Sequence, residues 1–341
     1  LYVRVIDSCA TNYQSMGNDS ATLNKSKRAK DDEYYTLFED IAAELPEYRE
    51  QLRGKRIICP CDWDESYNEE LVYCDEAPAQ SSELFPPAGS AKHIDIKASR
   101  RHIEKDFGQI KCNFIKFLVS HAEAYGIASV SVSGYNPATG EGVRFQDIDY
   151  SKYDLVITNP PFSQFREFID VLIENGKQFL VIGPQNAITY KNVFQYIKEN
   201  RMWLGCHYHL SGFMMPDGTV IPKNDNLPRS CCWFTNLDVS YRCDRMILTE
   251  EYSPEKYPQY DDYEAIEVSK TKLIPYDYAG VMGVPITFLQ KYNPEQFEIL
   301  GLDDHRLVYP DWRGKGPSLN GNTKYRRIII KNLNPQKREE L

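Results

Sequence analysis

Apolar and polar positions along the middle of the chain follow two repeating patterns. Short runs rich in apolar residues predict buried strands at 55–61, 129–133, 153–158, 178–183, 202–207 and 230–235. Apolar residues spaced three or four positions apart predict helices at 31–53, 111–125, 165–174 and 190–200. Strands and helices that alternate in this way are typical of a mainly parallel sheet with helices on both faces. We therefore predict an α/β fold.

The pattern weakens at both ends of the chain and in one internal stretch. Residues 1–30 are polar and include a small basic cluster, which predicts a flexible basic arm. Residues 62–106 contain turn-forming residues without a clear period, so no elements are predicted there. Residues 305–341 hold nine Lys or Arg and only three acidic residues, in contrast to the acidic chain as a whole. This asymmetry predicts a second functional region at 241–341, after a main domain at 31–240.

Composition limits the classes of protein to which the chain can belong. The formal net charge is −9, and a uniformly acidic surface repels a polyanion, so any nucleic-acid site must be a local basic patch. The sequence has no apolar run of about 18 residues, the length that predicts a membrane-spanning helix. Its first residues also lack the ordered regions of a signal peptide. We expect a cytoplasmic protein that does not bind membranes.

The nine cysteines do not resemble the framework of a disulfide-rich protein, because their number is odd and the chain is long. Cys59, Cys61 and Cys74 are the candidates for a zinc site. The first two have the spacing C-x-C, whereas most zinc sites have C-x2-C. Buried reduced thiols are the simpler interpretation, and we predict no metal.

The segment with the clearest chemical meaning is YDLVITNPPF at 153–162. An apolar strand leads directly into Asn159, Pro160, Pro161 and Phe162, and ligands of parallel sheets bind beyond strand ends. The side-chain oxygen of Asn159 and the carbonyl of Pro160 can accept the two hydrogens of an exocyclic aromatic amine, which is otherwise a poor nucleophile. The two prolines hold these acceptors in place, and Phe162 offers a flat face to an extruded base.

This motif predicts methyl transfer to an amine without a metal, but it does not name the amine. The same residue types serve enzymes that methylate guanine amines in RNA and glutamine amides in proteins. A turn with two prolines at the end of a strand is the purely structural alternative.

Longer segments around the motif narrow the choice. TNPPFSQFREFIDVLI, FLVIGPQNAITYKNVFQYIKENRMWLG and AGVMGVPITFLQKYNPEQFEILG resemble the EcoRI-type family of adenine-specific DNA methyltransferases, and the resemblance covers about residues 31–333. It implies a Rossmann-like methyltransferase core with S-adenosylmethionine as methyl donor. It also implies that the acceptor is adenine in double-stranded DNA, flipped out of the helix. Residues 159–162 then match the family's catalytic tetrad position by position.

The resemblance also suggests residues for the donor site. Tyr35 and Thr36 lie in DEYYT, which looks like the N-terminal motif of amino-methyltransferases around the methionine part of the donor. Three residues follow the first strand at the position of the donor loop, without an F-x-G-x-G motif: Pro60, Cys61 and Asp62. Tyr135 follows the second strand, where many methyltransferases bind the ribose, and Asp147 resembles the acid that binds the donor's adenine amine. A helix N-terminus at Tyr35 and a surface acid at Asp147 are the structural alternatives.

The C-terminal segment RGKGPSLNGNTKYRRIIIK combines glycines, basic residues and a tyrosine, which suits a surface near phosphate. The candidates for DNA contacts are Lys315, Lys324, Arg326 and Arg327. An ordinary basic hairpin at a sheet edge is the alternative. We predict that 31–240 is the catalytic domain and 241–341 the DNA-binding, target-recognition region. The chain is compatible with a monomer.

The sequence favours site-specific methylation of adenine N6 in DNA, for restriction–modification or for marking phage or host DNA. Two other functions stay open at this point. An amine methyltransferase acting on RNA or protein would share the 159–162 motif. A non-catalytic DNA-binding protein would account for the missing glycine loop.

Overall fold

A computed structural model of the chain describes residues 35–62, 72–74, 91–107, 112–136, 140–214, 219–222, 231–303, 317–324 and 326–336. The predicted arm at 1–30 and the candidate Lys315 lie outside these residues. Among the helices so described, none is both long and apolar enough to cross a membrane.

Strands and helices alternate through the middle of the chain, as the pattern predicts. The strands are β1 (Tyr35–Thr36), β2 (Arg56–Cys59), β3 (Tyr73–Cys74), β4 (Lys92–Ile94), β5 (Ser129–Val132), β6 (Tyr135–Asn136), β7 (Glu141–Gly142), β8 (Leu155–Thr158), β9 (Gln178–Pro184), β10 (Trp203–Leu204), β11 (Gly212–Met214), β12 (Val220–Pro222), β13 (Cys231–Thr235), β14 (Ala265–Glu267), β15 (Val281–Pro285), β16 (Phe297–Leu302), β17 (Ser318–Leu319), β18 (Asn322–Thr323) and β19 (Arg327–Asn332). The α-helices are α1 (Phe38–Glu44), α2 (Arg49–Leu52), α3 (Ile96–Lys105), α4 (Asn113–Tyr125), α5 (Phe165–Glu174) and α6 (Lys191–Lys198). The predicted α/β class is confirmed.

The largest sheet has eight strands in the order β10-β13-β9-β8-β2-β5-β4-β3. Its centre is parallel, because β5, β2, β8 and β9 all run in the same direction. β13 runs antiparallel to β9, and β10 runs antiparallel to β13. β10 therefore points the same way as the central strands, and its end lies at the same edge of the sheet.

Both faces of this sheet are covered, because successive side chains of a strand point to opposite sides. Ile57 and Leu155 belong to an apolar cluster that includes residues of α1 and α4. Ile58 and Val156, the next residues in the same strands, belong to a second cluster that includes residues of α5 and α6. The strands of the centre are therefore apolar on both faces, which explains why they appear in the sequence as uninterrupted apolar runs.

Two stretches differ from the sequence prediction. The helix predicted at 31–53 is wrong at its start, where Tyr35 and Thr36 form β1, and it is interrupted by a 3-10 helix at Leu45–Tyr48. The stretch 62–106, for which nothing was predicted, contains β3, β4 and α3. Strands of two or three residues are too short to show a period, so they could not be recognised from the sequence.

A second sheet of four strands follows the first, in the order β14-β15-β19-β16. Its interior strand β19 contains three buried isoleucines, Ile328–Ile330. Ile328 and Ile330 belong to the same apolar cluster as the face of the large sheet that α5 and α6 cover. The Lys198 ammonium of α6 also donates to the carbonyl of Leu300 in β16 at 2.8 Å. The C-terminal sheet thus completes a core that the first 240 residues begin.

Candidate active site

Two loops meet at the edge of the large sheet where β2 and β8 end. Within this sheet, β2 lies between β5 on one side and β8 on the other. The chain connections therefore diverge between β2 and β8. Open α/β sheets bind ligands at such a switch point, beyond the carboxyl ends of the strands. Residues 60–62 follow β2 and residues 159–162 follow β8. Both sets of predicted site residues therefore lie at this edge.

The 159–162 turn connects β8 to α5. Pro160 is buried, and so is the side-chain oxygen of Asn159. The Gln164 N–H donates to the carbonyl of Pro161 at 3.0 Å, which fixes the end of the turn. Because proline has no N–H, the middle of the turn presents carbonyl oxygens to its surroundings without competing donors.

The ring of Phe162 is partly buried against β11, which brings another set of predicted residues to the same edge. The ring centroids of Phe162 and Phe213 lie 6.4 Å apart in an edge-to-face arrangement. β11 pairs antiparallel with β1, and Thr36 lies opposite Phe213 in this pairing. Tyr35 and Thr36, predicted for the donor site, therefore lie on the strand next to the one that contacts Phe162.

Asp62 links the loop after β2 to the end of β8. Its Oδ2 accepts a hydrogen bond from the hydroxyl of Thr158 at 2.5 Å, and its Oδ1 accepts one from the thiol of Cys112 at 3.7 Å. Its backbone N–H donates to the carbonyl of Ser133 at 3.1 Å. The carboxyl of Asp62 thus joins the residue before Asn159 to the residue before α4, and its backbone N–H binds the residue that follows β5.

The surroundings of Asp62 change its acidity. Loss of hydration raises the pKa of this carboxyl from 3.8 to about 7, although the hydrogen bonds from Thr158 and Cys112 act in the opposite direction. Burial also raises the pKa of the Cys61 and Cys112 thiols well above their usual range. These thiols are therefore neutral near pH 7, which makes them poor nucleophiles, whereas Asp62 changes its charge in this range.

Asn113 is a residue of this edge that the sequence interpretation missed. Its side-chain N–H donates to the backbone carbonyl of Thr36 at 2.7 Å in a buried bond, which ties α4 to β1. The hydroxyl of Thr36 is buried and has no hydrogen-bond partner in the described part of the chain. Asn113 stands at the start of an amphipathic helix, where a polar residue is ordinary. Nothing in its sequence context distinguishes it from a residue that only begins a helix.

Tyr135 and Asp147 lie further from this group of contacts. Tyr135 is 44% exposed and lies in the small hairpin formed by β6 and β7. Asp147 is exposed and pairs with Arg144, with 2.7 Å between Oδ2 of the acid and Nε of the arginine. Their roles at the donor site stay predictions.

The three described candidates for DNA contacts have different surroundings. The guanidinium of Arg327 forms an ion pair with the buried carboxylate of Glu267, with 2.7 Å between Nη2 and Oε1. Arg326 is 39% exposed and lies 3.9 Å from a carboxylate oxygen of Asp303. Lys324 is partly exposed and closes a turn through its backbone. Arg327 is thus committed to the interior of its sheet, whereas Lys324 and Arg326 keep access to solvent.

The described cysteines do not form disulfides, and no group of three or more His, Cys, Asp or Glu in the same residues could hold a metal ion. Cys59 is buried and Cys74 exposed, with its thiol 4.0 Å from the carbonyl of His93. Cys59 belongs to the apolar cluster on the α1 and α4 face, as expected for a buried reduced thiol.

The fold and the site together define an α/β protein with an Asn-Pro-Pro-Phe turn at the switch point of an open sheet. The chain matches the model of the family described as "Adenine-specific methyltransferase EcoRI" at residues 22–73 and 148–333. The chain therefore belongs to this family, and the resemblance inferred from the sequence is confirmed. The protein is an adenine-specific DNA methyltransferase. Tyr135 and Asp147 lie between the two matched stretches.

Three relatives are similar over nearly their whole length. Type II methyltransferase M.EcoRI of Escherichia coli is 38% identical, over 92% of this chain and 97% of the relative. Type II methyltransferase M.MpnI of Mycoplasma pneumoniae is 28% identical, over 91% of this chain and 97% of the relative. Type II methyltransferase M.MgeORF184P of Mycoplasma genitalium is 29% identical, over 91% and 98%. No solved structure matches the chain.

These comparisons decide between the functions that the sequence left open. They support restriction–modification as the setting of the enzyme, as the sequence segments implied. They do not support an enzyme for RNA or protein or a non-catalytic binding protein.

Proposed function

We propose that the enzyme transfers a methyl group from S-adenosylmethionine to N6 of an adenine that is flipped out of duplex DNA at a specific sequence. The observation that carries this proposal is the junction of two loops at the switch point. Thr158, the residue before Asn159, donates a hydrogen bond to Asp62 in the loop after β2. An acceptor site at 159–162 and a donor site at 60–62 are thereby adjacent.

The 159–162 turn supplies the contacts for the acceptor amine. The side-chain oxygen of Asn159 and the carbonyl of Pro160 take the two N6 hydrogens, which directs the nitrogen lone pair and favours the positive charge that develops on it. Phe162 stacks on the flipped base. The prolines keep the acceptors in this arrangement before the substrate arrives, so little reorganisation is needed during the reaction.

The residues around Thr36 and Asp62 fit the methyl donor. S-adenosylmethionine, when bound, supplies an activated methyl group on a positively charged sulfur. The buried hydroxyl of Thr36 offers a hydrogen-bonding group to the donor, and the carboxyl of Asp62 offers negative charge. Tyr35, Pro60 and Cys61 complete the wall of this site, and Tyr135 and Asp147 are our further candidates for the ribose and adenine parts. The amine loses its proton to water after the transfer, so the reaction requires neither a general base nor a metal.

We assign the rest of the molecule to DNA and to the framework. The large sheet serves as a Rossmann-like core at 31–240, and 241–341 holds DNA and selects the target sequence. Lys324, Arg326 and Lys315 are the proposed phosphate contacts, the last of them outside the described residues. We propose that the enzyme works in the cytoplasm, where its DNA substrate and donor are present.

The test is transfer of labelled methyl groups from S-adenosylmethionine to duplex DNA, RNA and protein in parallel. Label should appear in adenine of DNA, and Asn159→Ala should lower the rate by at least about a hundredfold because one of two fixed acceptors is lost. The matched control is Asn175→Ala, because the side chain of Asn175 donates a hydrogen bond to the carbonyl of Val171 in α5. This variant should transfer methyl groups at the rate of the wild type.

Label in RNA or protein would replace the proposed substrate but keep the site. Transfer that persists in Asn159→Ala would exclude the proposed role of the 159–162 turn. No label in any polymer, with folded protein and a broad set of DNA sequences, would contradict the proposed reaction.

A further inference from the structure

Two acidic side chains of α1 hold the segment that connects β10 to β11, residues 205–211, which we call the connector. Asp40, in the first turn of α1, accepts hydrogen bonds from Ser211 at the end of the connector. The Ser211 N–H lies 2.9 Å from Oδ1, and the Ser211 hydroxyl lies 2.7 Å from the same oxygen. This pair fixes the residue directly before β11.

Glu44, one turn further along α1, holds the beginning of the connector. The side chain is fully buried, and its Oε1 accepts hydrogen bonds from the Cys206 N–H at 2.8 Å and the Tyr48 hydroxyl at 2.6 Å. Its Oε2 accepts from the His207 N–H at 2.7 Å and lies 2.8 Å from the Nδ1 of the same residue. Glu44 and Trp233 lie so close to Gly205 that no side chain would fit at this position.

The contacts of Glu44 are unusual for a residue that only fills the core. A buried carboxylate is costly unless donors surround it, and here two of the donors are backbone N–H groups of consecutive connector residues. Burial, together with the nearby negative charge of Glu44, raises the pKa of the Cys206 thiol to about 11. The carboxylate therefore fixes the path of the backbone, which an apolar side chain of the same size would not do.

The connector leads directly into the wall of the active site. β11 follows it, with Phe213 in edge-to-face contact with Phe162 of the 159–162 turn. Thr36, opposite Phe213, belongs to β1, and β1 precedes α1 by a single residue. A closed circuit therefore runs from β1 through α1, the connector and β11 back to β1. The hydrogen bonds of Asp40 and Glu44 link α1 to the connector within this circuit.

We propose that Glu44, assisted by Asp40, is a positioning residue for methyl transfer: it holds the connector so that Phe213 keeps Phe162 in place. This role rests on the proposed function, in which Phe162 stacks on the flipped adenine. Glu44 touches neither substrate nor donor and acts through the connector. A displacement of about 1 Å at reacting groups can cost about a hundredfold in rate, so a loosened connector should reduce catalysis well before it unfolds the protein.

The test is a double-mutant cycle between Glu44→Gln and Phe213→Leu, read out as the single-turnover rate of methyl transfer at saturating DNA and donor. Each single variant should slow transfer by at least about tenfold. The double variant should be no more than about twofold slower than the slower single variant, because both changes release the same contact. Losses that multiply in the double variant would show that Glu44 does not act through Phe213, and would overturn the proposal.

Asp154→Asn is the matched control, since Asp154 also binds a backbone N–H through its carboxylate, that of Arg56 at 2.9 Å, but at the start of β8. Asp154→Asn should lower stability while leaving the transfer rate within about twofold of the wild type. When it is combined with Phe213→Leu, the fold-changes in rate of the two single variants should multiply. If Glu44→Gln does not yield folded protein, Asp40→Asn enters the same cycle. Equal rates in the wild type and in Glu44→Gln, or Asp40→Asn in its place, would also overturn the proposal.

Hydrogen exchange provides a reading that does not depend on activity. Backbone amides of the connector and of β11 should exchange faster in Glu44→Gln than in the wild type, and those of β8 should not. Unchanged exchange in the connector would overturn the structural part of the proposal, whatever the enzyme methylates. A wild type that transfers no methyl group to DNA, with the expected exchange pattern, would instead contradict the proposed function and leave the positioning of Phe213 by Glu44 in place.

Discussion

At the scale of single residues, Asp62 combines a predictable position with an unpredictable environment. Its place after the first strand pointed to the donor loop, because ligands bind beyond strand ends. Its hydrogen bond from Thr158 joins residues 96 positions apart, and the thiol contact from Cys112 is also long-range. Such partners depend on how the sheet is assembled, so the sequence offered no signal for the raised pKa of this carboxyl.

We expect donor affinity to depend on the ionisation of Asp62. Since its pKa is raised to about 7, the carboxyl becomes negatively charged as the pH rises from 6 to 8. S-adenosylmethionine carries a positive sulfur, so the wild type should bind it more tightly at pH 8, by about tenfold or about 1.4 kcal/mol. Calorimetric titration at several pH values measures this change. Asp62→Asn, which keeps the shape of the side chain, should abolish most of it.

The same ionisation should oppose folding. A carboxyl whose pKa rises from 3.8 to about 7 on folding binds more protons in the folded state between these values. Its favourable contribution is therefore complete below about pH 4 and is lost as the pH rises through about 7. The free energy of unfolding of the wild type should fall relative to Asp62→Asn over this range. Parallel pH profiles of the two proteins in urea would contradict the raised pKa.

At the scale of elements, local patterns predicted the centre of the fold and missed its edges. The prediction for α5 at 165–174 is confirmed, because its apolar residues repeat with the helical period and pack on a single face. β1 was hidden inside a predicted helix, since the partner that makes Tyr35 and Thr36 a strand is β11, far along the chain. Pairing over such distances leaves no periodic trace in a two-residue strand.

The contact between β9 and α5 lies close to the 159–162 turn, because α5 begins three residues after Phe162. A methyl group on Gly183 of β9 would lie 2.3 Å from the ring of Phe165, the first residue of α5, and that ring already packs against Phe234. Gly183→Ala should therefore lower the free energy of unfolding by about 1–3 kcal/mol and also slow methyl transfer. Denaturant unfolding and single-turnover assays measure the two effects.

Gly176→Ala is the control for this change. Gly176 has a φ of 61° and open space around the position of a side chain, so its replacement adds backbone strain without a clash. It should cost about 1 kcal/mol and leave the transfer rate unchanged. A Gly183→Ala variant that is as active as Gly176→Ala would mean that Phe165 does not control the turn.

Two neighbouring arginines, Arg326 just before β19 and Arg327 at its start, are expected to have different roles. Arg326→Ala should weaken binding to duplex DNA and reduce the slope of log affinity against log salt by about 0.9, with little change in stability. Arg327→Ala should leave the buried Glu267 without its ion-pair partner and destabilise the protein by about 3 kcal/mol. From the sequence we predicted both arginines as phosphate contacts, because composition cannot show which cation already forms an ion pair inside the protein. Unaltered DNA affinity in Arg326→Ala at several salt concentrations would remove it from the DNA site.

At the scale of the whole molecule, the boundary predicted near residue 240 stays a proposal about function, while the packing crosses it. Charge and composition change there, and both are properties of surfaces. The core does not change, because Phe168 of α5 and Ile330 of β19 belong to one apolar cluster. Separate domains would each need a core of their own.

This shared core should make unfolding cooperative across the boundary. We expect one calorimetric transition for the full chain, and no cooperative transition for a fragment that ends at residue 240, because the apolar side chains on the α5 and α6 face would lose their cover. Near-ultraviolet circular dichroism of the fragment checks whether fixed side-chain packing survives. A fragment with a sharp transition and a native-like spectrum would support two independent domains.

The interior place of β19 also has a consequence for the life of the newly made enzyme. β15 and β16 are synthesised first, but each pairs with β19, which follows both in the chain. While the ribosome is still adding residues 303–327, β19 is not yet present between these two strands. The part of the apolar core that β19 covers is exposed during this time. Translation at about 5–20 residues per second makes this interval short but real. Residues 159–162 therefore exist well before the protein around them is complete, and we expect the first methyl transfer to follow the synthesis of β19.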